Sequence, residues 1–424
     1  MLPTYPGEEF DGSAVYERKL NAALRARGVE IEVLTTRAQK LVHEEQFLIR
    51  WPDELPRRGQ HDGVPIRRFH ALEPGRLGKL ASDAVTRRWS REDFRDGALV
   101  DGSASLVEAA VAQARSRPSR YDDLADFGRG PVVPGLLAHL ARRAGRFDAI
   151  LAGYAPFSLS RQVIRAASLV RKPVVLLPFI HESDRYHQFA SLLGTYEDAD
   201  AVLTLSGHTT EFLRRYVPRA RPFTLGAGVT ALGGEETSGA EFRRRHGLGD
   251  AQIVLYVGRK EQRKRYDLAV DAVDQLGGDA MLVMVGRDVD GKTLESEHAR
   301  HLGPLPEAEL AAAYEACDVF VLPSEFESFG MVFLDAWLRS KPVIGNRNCG
   351  AAASLIEEGR DGYLCRDADE IAARLRDLLA DPALRARMGA AGYEKTAAHY
   401  TWPRVASRAI EALEQVLSST PPER

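Results

Sequence analysis

Two stretches in the second half of the chain set charged side chains beside glycine at spacings that suit an anionic, hydroxyl-rich ligand. The first is VGRKEQRKR, residues 257–265. It follows the apolar run IVLYV (253–257), so a strand ends at Val257 and Gly258 permits a tight turn. Arg259 and Lys264 then project from the loop leading into the next helix. Two cations at the C-terminal edge of a parallel sheet suit a diphosphate, because guanidinium and ammonium groups both make charge-assisted hydrogen bonds to phosphate oxygens. The run reads equally well as a solvated basic loop. The second stretch, PSEFESFGMVFLDAW (323–337), separates Glu327 from Asp335 by about two helical turns. Between them Ser328, Phe329 and Gly330 supply a loop and a helix start, whose free backbone N–H groups point at a bound anion. One carboxylate then precedes the helix and the other sits on its inward face, where carboxylates accept hydrogen bonds from sugar or ribose hydroxyls. Core packing accounts for Phe329, Val332, Phe333 and Ala336, but not for both acids beside a glycine-initiated helix.

Two further features are weak alone, since glycine loops are ordinary connections. NRNCGAAASLIEEGRDGYL (346–364) is a glycine-punctuated loop leading toward a strand, and RHLGPLP (300–306) is a turn ahead of a helix, where a base can rest on backbone. The DVD triplet at 288–290 follows a strand end and carries little weight as a metal pair.

These residues need strands and helices to hold them. Short β-branched runs at 31–35, 148–152, 173–177 and 201–205, and again at 253–257, 280–285, 319–322 and 342–345, read as buried strands. Amphipathic stretches such as 13–27, 265–276 and 307–316 read as helices between them. Repeated strand–helix alternation implies α/β architecture, with parallel sheets covered on both faces. At 424 residues the chain suits two doubly wound, Rossmann-like domains. The glycine-rich stretch 226–240 is the expected linker between domains at 1–225 and 241–400, with ligands in a cleft at the strand C-termini. Residues 36–147 are the least legible part; 87–100 look helical and exposed and carry no assigned chemistry.

Composition excludes several classes. With 44% hydrophobic and 28% charged residues the chain is not disordered, and no apolar run approaches the roughly 20 residues of a membrane span. The N-terminus has no secretory signal, and three cysteines without CxxC spacing argue against a disulfide framework or zinc site, favouring a reducing cytoplasm. No nucleic-acid motif is present. Residues 1–230 hold 33 basic and 28 acidic side chains, against 24 and 32 in the remainder. A basic first half suits an anionic or lipid-linked acceptor and peripheral contact with an acidic membrane; solvated arginine-rich helices, such as 141–146, explain the balance at least as well.

Taken in order, the motifs resemble family 4 of the retaining glycosyltransferases, which have the two-Rossmann architecture called GT-B. The resemblance is specific over 225–410 and looser over 1–225. It implies that Arg259 and Lys264 hold the diphosphate of a nucleotide-sugar donor. Glu327 and Asp335 match the family's E-x7-E pair, the first contacting the transferred sugar and the second the ribose. Backbone across Ser328, Phe329, Gly330, Met331 and Val332 would meet the phosphates. YTWPRVASRAI (400–410) resembles the family's closing helix, so 401–424 is expected to cross back to the N-domain. Two departures stand out: Asp335 is shorter than glutamate by one methylene, and the 350–354 loop reads Gly-Ala-Ala-Ala-Ser. Both bear on donor base and sugar identity more than on activity.

In the first half, FDGSAVYERKL (10–20) looks like the family's phosphate-facing turn, with Gly12 matching its second glycine. The strand expected before that turn is missing, which suggests a start upstream of Met1 or a sheet lacking a central strand. His181, at the end of the strand in PVVLLPFIHESDRYH, matches a histidine the family places at the sugar; Glu182, Asp184 and His187 follow it toward the acceptor side. The resemblance implies transfer with retention and no side-chain nucleophile, with the departing nucleotide diphosphate helping to accept the acceptor's proton. No cofactor and no obligatory metal are expected. The rival readings are an inactive nucleotide-sugar-binding scaffold and another GT-B enzyme, such as a sugar-nucleotide epimerase.

Overall fold

The computed structural model describes residues 4–5, 12–39, 42–45, 48–73, 75, 77, 80, 111, 130–155, 157–181, 190–230, 238–278 and 280–419, with backbone alone at 42–45, 48–49 and 190. The chain forms two compact units, Met1–Gly226 with Trp402–Arg424, and Ala227–Thr401.

The first unit opens with α1 (Gly12–Arg25), whose apolar stripe Ala14, Tyr16, Leu20 and Leu24 is buried at helical spacing. Strands β1 (Val33–Thr36), β4 (Arg58–His61) and β5 (Val64–Phe69) make a three-stranded sheet in the order β1-β5-β4, while β2 (Val42–Glu45) and β3 (Leu48–Arg50) pair antiparallel. The β4–β5 hairpin turns at Asp62-Gly63, both at positive φ (50° and 74°), as a two-residue hairpin turn demands. Then come α2 (Pro134–Arg143), β6 (Ile150–Gly153), α3 (Ser158–Leu169), β7 (Val174–Leu177), α4 (Ala190–Asp198), β8 (Ala201–Thr204), α5 (Gly207–Tyr216) and β9 (Pro222–Thr224). Strands β6 to β9 form a parallel sheet in sequential order, and β7 and β8 are buried at every position, as a sheet covered on both faces requires. Residues 10 and 11 of the stretch expected to hold the phosphate-facing turn, the stretch 87–100 and Glu182, Asp184 and His187 lie outside the described residues.

The second unit contains α6 (Gly239–Arg245), β10 (Gln252–Val257), α7 (Tyr266–Leu276), β11 (Ala280–Val285), β12 (Ala299–His301), α8 (Glu307–Ala316), β13 (Val319–Leu322), α9 (Met331–Leu338), β14 (Val343–Asn346), α10 (Gly350–Leu355), β15 (Gly362–Cys365), α11 (Ala368–Ala380) and α12 (Pro382–His399). All six strands are parallel, in the order β12-β11-β10-β13-β14-β15. The chain starts at the middle strand, winds outward to one edge, then returns and winds to the other. Order therefore reverses between β10 and β13, and the loops leaving those two strands diverge at their C-terminal ends, where doubly wound sheets bind ligands. The stretch 346–364, expected to be a loop, instead folds the short helix α10 between β14 and β15.

Finally α13 (Trp402–Ser418) returns to the first unit. Trp402 packs edge-on to Tyr16 at 5.2 Å, Arg408 donates to the Leu225 carbonyl at 2.8 Å, and the Tyr16 hydroxyl donates to the Gly226 carbonyl at 2.8 Å. Cys317, Cys349 and Cys365 are buried and form no disulfide, and burial pushes the thiols of Cys317 and Cys365 up to about 12. Among the described residues no helix is long and apolar enough to cross a membrane.

Candidate functional site

The loops after β10 and β13 carry the residues singled out in the sequence. The loop after β10 runs 258–265 and ends in a short 3-10 turn, Gln262–Lys264. Its backbone touches the neighbouring loop after β11: the Gly258 N–H donates to the Val285 carbonyl at 2.9 Å, and a Cβ on Gly286 (φ +142°) would stand 2.0 Å from the Gly258 oxygen. Only glycine permits that approach.

The loop after β13 runs 323–330 and ends at Gly330, whose left-handed conformation (φ +91°) caps α9. There the chain turns inward, and the Phe333 N–H makes the first helical bond, to the Gly330 carbonyl at 3.0 Å. Amides ahead of that bond have no intrahelical acceptor, as at any helix start, so Met331 and Val332 present donor groups there. Phe329 is buried against the Tyr400 ring at 5.7 Å, which fixes the loop that holds Ser328.

The two loops meet through charge. The Lys264 ammonium donates to Glu327 Oε1 at 2.6 Å, with both side chains largely buried. Arg265 is held at positive φ (47°) while its guanidinium spans Asp267 and Glu325, the latter at 3.0 Å. The Glu325 amide in turn donates to the Arg263 carbonyl at 3.1 Å. Arg259 is the more open cation, 52% exposed, with its guanidinium 3.0 Å from Glu261. The buried Tyr256 hydroxyl donates to the Arg259 carbonyl at 2.9 Å. Burial pushes that phenol well above its ordinary range, and the charges of Glu327 and Glu261 push it the same way. Asp335 lies within α9, half-buried, and its charge acts on the buried Tyr314 phenol of α8.

The sequence reading passed over Lys260. Its side chain is 2% exposed, and its ammonium donates to Asp288 at 2.8 Å and Asp290 at 2.5 Å, with the Tyr266 ring 5.3 Å away. Tyr266 donates its hydroxyl to Asp290 at 2.7 Å. The DVD triplet is thus an internal counter-charge for a lysine, tying the loop after β11 to the basic loop after β10. His301, the last residue of β12 and so not part of the turn expected at 300–306, also reaches this region, with Nε2 2.7 Å from the Gly286 carbonyl. Two aspartates 28 and 30 positions after Lys260 carried a signal for it, but nothing local said which cation of the basic run would turn inward.

Gly12 and His181 belong to the first unit. Gly12 is the exposed first residue of α1. His181 is half-buried and follows Phe179, which sits at positive φ (51°) between the rings of Tyr16 and Tyr154 at 5.6 and 5.2 Å.

In the second unit, then, a cationic loop, an acidic loop, a glycine-capped helix start and an acid paired to a lysine gather at the switch point of a Rossmann-type sheet. Residues 239–395 match the model of the family described as glycosyl transferases group 1. Over 332 residues the chain is 28% identical to the GDP-mannose-dependent alpha-(1-6)-phosphatidylinositol monomannoside mannosyltransferase of Mycolicibacterium smegmatis, covering 73% of this chain and 81% of that protein. In fold it is similar to a sucrose-phosphate synthase from Thermosynechococcus elongatus, with a TM-score of 0.67 at 20% identity over 97% of this chain and 94% of that one. It is also similar to the Anabaena HepE protein solved with UDP and glucose, with a TM-score of 0.58 at 18% identity over 74% and 96% of the two chains. Residues 239–395 therefore match the glycosyl transferases group 1 model, and the chain has the GT-B fold of the glycosyltransferases to which it is similar.

Proposed function

We propose that this chain transfers a sugar from a nucleoside-diphosphate sugar to a hydroxyl acceptor, with retention of anomeric configuration and no obligatory metal, in a reducing cytoplasm. The observation that carries the reading is the Lys264–Glu327 pair, which joins the two motifs at the sheet's switch point. Arg259 and Lys264 hold the diphosphate, and the amides from Ser328 to Val332 complete its cradle. Glu327 accepts hydrogen bonds from the transferred sugar, and Asp335 from the ribose. Gly12 and His181 serve donor and acceptor from the first unit. The bond from the anomeric carbon to the β-phosphate oxygen breaks, and the acceptor oxygen bonds to the same face of that carbon. Its proton passes to the departing phosphate, whose growing charge the two cations stabilise. Asp288 and Asp290 are already engaged by Lys260, so that pair is not offered to a cation.

The relative from Mycolicibacterium smegmatis is GDP-mannose-dependent by name, and the Anabaena neighbour was solved with UDP. GDP-mannose and UDP-glucose are thus the first donors to supply. Slow release of the nucleoside diphosphate, unchanged by EDTA, is expected from one of them, with the donor's anomeric configuration kept in any product seen by NMR. Donor binding without release would instead make the chain a nucleotide-sugar binder. Sugar interconversion without release would make it an epimerase.

A further inference from the structure

We propose that Arg265 is a positioning residue for the donor site. Its guanidinium keeps the loops after β10 and β13 joined when the Lys264–Glu327 pair opens to receive a diphosphate. The inference rests on the transfer reading above.

Arg265 breaks three local preferences at once. It immediately precedes α7 in a left-handed conformation, φ 47° and ψ 41°, which glycine adopts freely and arginine rarely. It gives that helix no side-chain cap, where serine, threonine, aspartate or asparagine would. It also sets a permanent cation at the positive end of the helix dipole. A residue held against its local preferences is held by contacts made elsewhere. Two carboxylates supply them. Nε and Nη2 donate to Asp267 at 3.1 and 3.0 Å, and Nη1 donates to Glu325 Oε1 at 3.0 Å. Asp267 lies in the first turn of α7, whereas Glu325 belongs to the loop after β13. The planar fork reaches both at once, which the point charge of a lysine does less well.

The place of this bridge gives it a consequence for binding. Arg265 follows Lys264 in the chain, and Glu325 stands two residues before Glu327. Beside the Lys264–Glu327 pair, the loops are joined by the Arg265–Glu325 pair, by the Glu325 amide donating to the Arg263 carbonyl at 3.1 Å, and by the Arg263 guanidinium 5.7 Å from the Phe326 ring. On the proposed roles a diphosphate draws the Lys264 ammonium from Glu327 and so breaks the first link. Arg265–Glu325 is an ion pair still spanning the loops at that moment. It leaves Lys264 set for the phosphates and Glu327 for the sugar, so less ordering is left for the ligand to impose.

Calorimetric titration of the full chain with GDP and with UDP, beside urea unfolding, tests it. The parent should bind one of the two. Arg265→Gly suits the left-handed backbone, so the fold should hold while the bridge is lost. Glu325→Gln removes the same ion pair with the backbone untouched, and decides alone if the glycine variant does not fold. Each change should weaken binding of that nucleotide by about five- to tenfold, and the double variant by no more than either alone, because both break one link. Arg265→Lys should recover part of the loss. The urea midpoint of the second unit should stay near the parent's. Unchanged affinity in Glu325→Gln overturns the positioning role, as do losses that multiply in the double variant. A lowered midpoint with affinity intact overturns it too, and makes the bridge a strut. A parent that binds neither nucleotide overturns the transfer reading and this role with it, whereas a binding parent with unmoved variants strikes this role alone.

Discussion

Lys264 and Glu327 are each other's partner, at 2.6 Å in a largely buried setting. On the roles proposed above, a diphosphate takes Lys264 from Glu327 and frees the carboxylate for the sugar's hydroxyls. On the proposed roles the two residues separate by assay. Lys264→Ala removes charge-assisted bonds to phosphate and should weaken nucleoside-diphosphate binding by roughly ten- to a hundredfold. Glu327→Gln keeps the shape and releases the lysine, so affinity should hold or rise while turnover falls by about a hundredfold. Calorimetry on both variants, with a donor-release assay, decides. Equal loss of affinity in both would make the pair a structural strut.

At the scale of elements, the site depends on three loops at the strand C-termini, and the 286–291 loop is fastened by Lys260. Removing the ammonium leaves Asp288 and Asp290 facing one another without a counter-charge. Lys260→Met should therefore lower stability in urea unfolding, by less than for a fully buried pair because the Asp288 side chain is 40% exposed. Burial raises the Asp290 carboxyl, but hydrogen bonds from Lys260, Tyr266 and the Lys292 amide outweigh that and bring it down to about 2. An acid depressed in the folded state adds stability above its unfolded value and loses it as pH falls through the folded one. The stability gap between the parent and Asp290→Asn should then close as pH drops from about 4 to about 2. A gap constant across that window would show that the carboxylate charge is not what holds the loop.

At the scale of the whole molecule, the chain leaves the first unit at Gly226 and re-enters it at Trp402. Helix α13 buries Trp402, Val405, Ala406, Ala409, Ala412 and Val416, and contributes the edge-on Tyr16–Trp402 contact and the Arg408–Leu225 bond to the first unit. Ending the chain at Thr401 would expose the Tyr16 face of α1. The first unit should then unfold at lower urea than in the full chain, while the second unit's transition stays in place, followed by protease protection mapped to each unit. An unchanged first transition would mean that α13 stabilises nothing it touches.

Much of this was legible in the residues alone. Strands at 280–285 and 319–322 and the helix at 307–316 fall where apolar period and β-branching placed them, because a sheet covered on both faces demands unbroken apolar runs whatever surrounds it. Gly330 announced the start of α9 for an equally local reason, since few other residues tolerate its conformation. What the residues could not decide was partnership. Of the cations in VGRKEQRKR, Lys260 turns inward to two aspartates, Lys264 crosses to Glu327, Arg265 bridges Asp267 and Glu325, and Arg259 stays half exposed. Those choices depend on which strands become neighbours, and the order β11-β10-β13 is a property of the assembled sheet. The first unit's hairpin is the same case: Arg58 comes to stand opposite Arg67 only when it closes in that register. Spacing along the chain determines local conformation, whereas charge pairing is set by distances that exist only after folding.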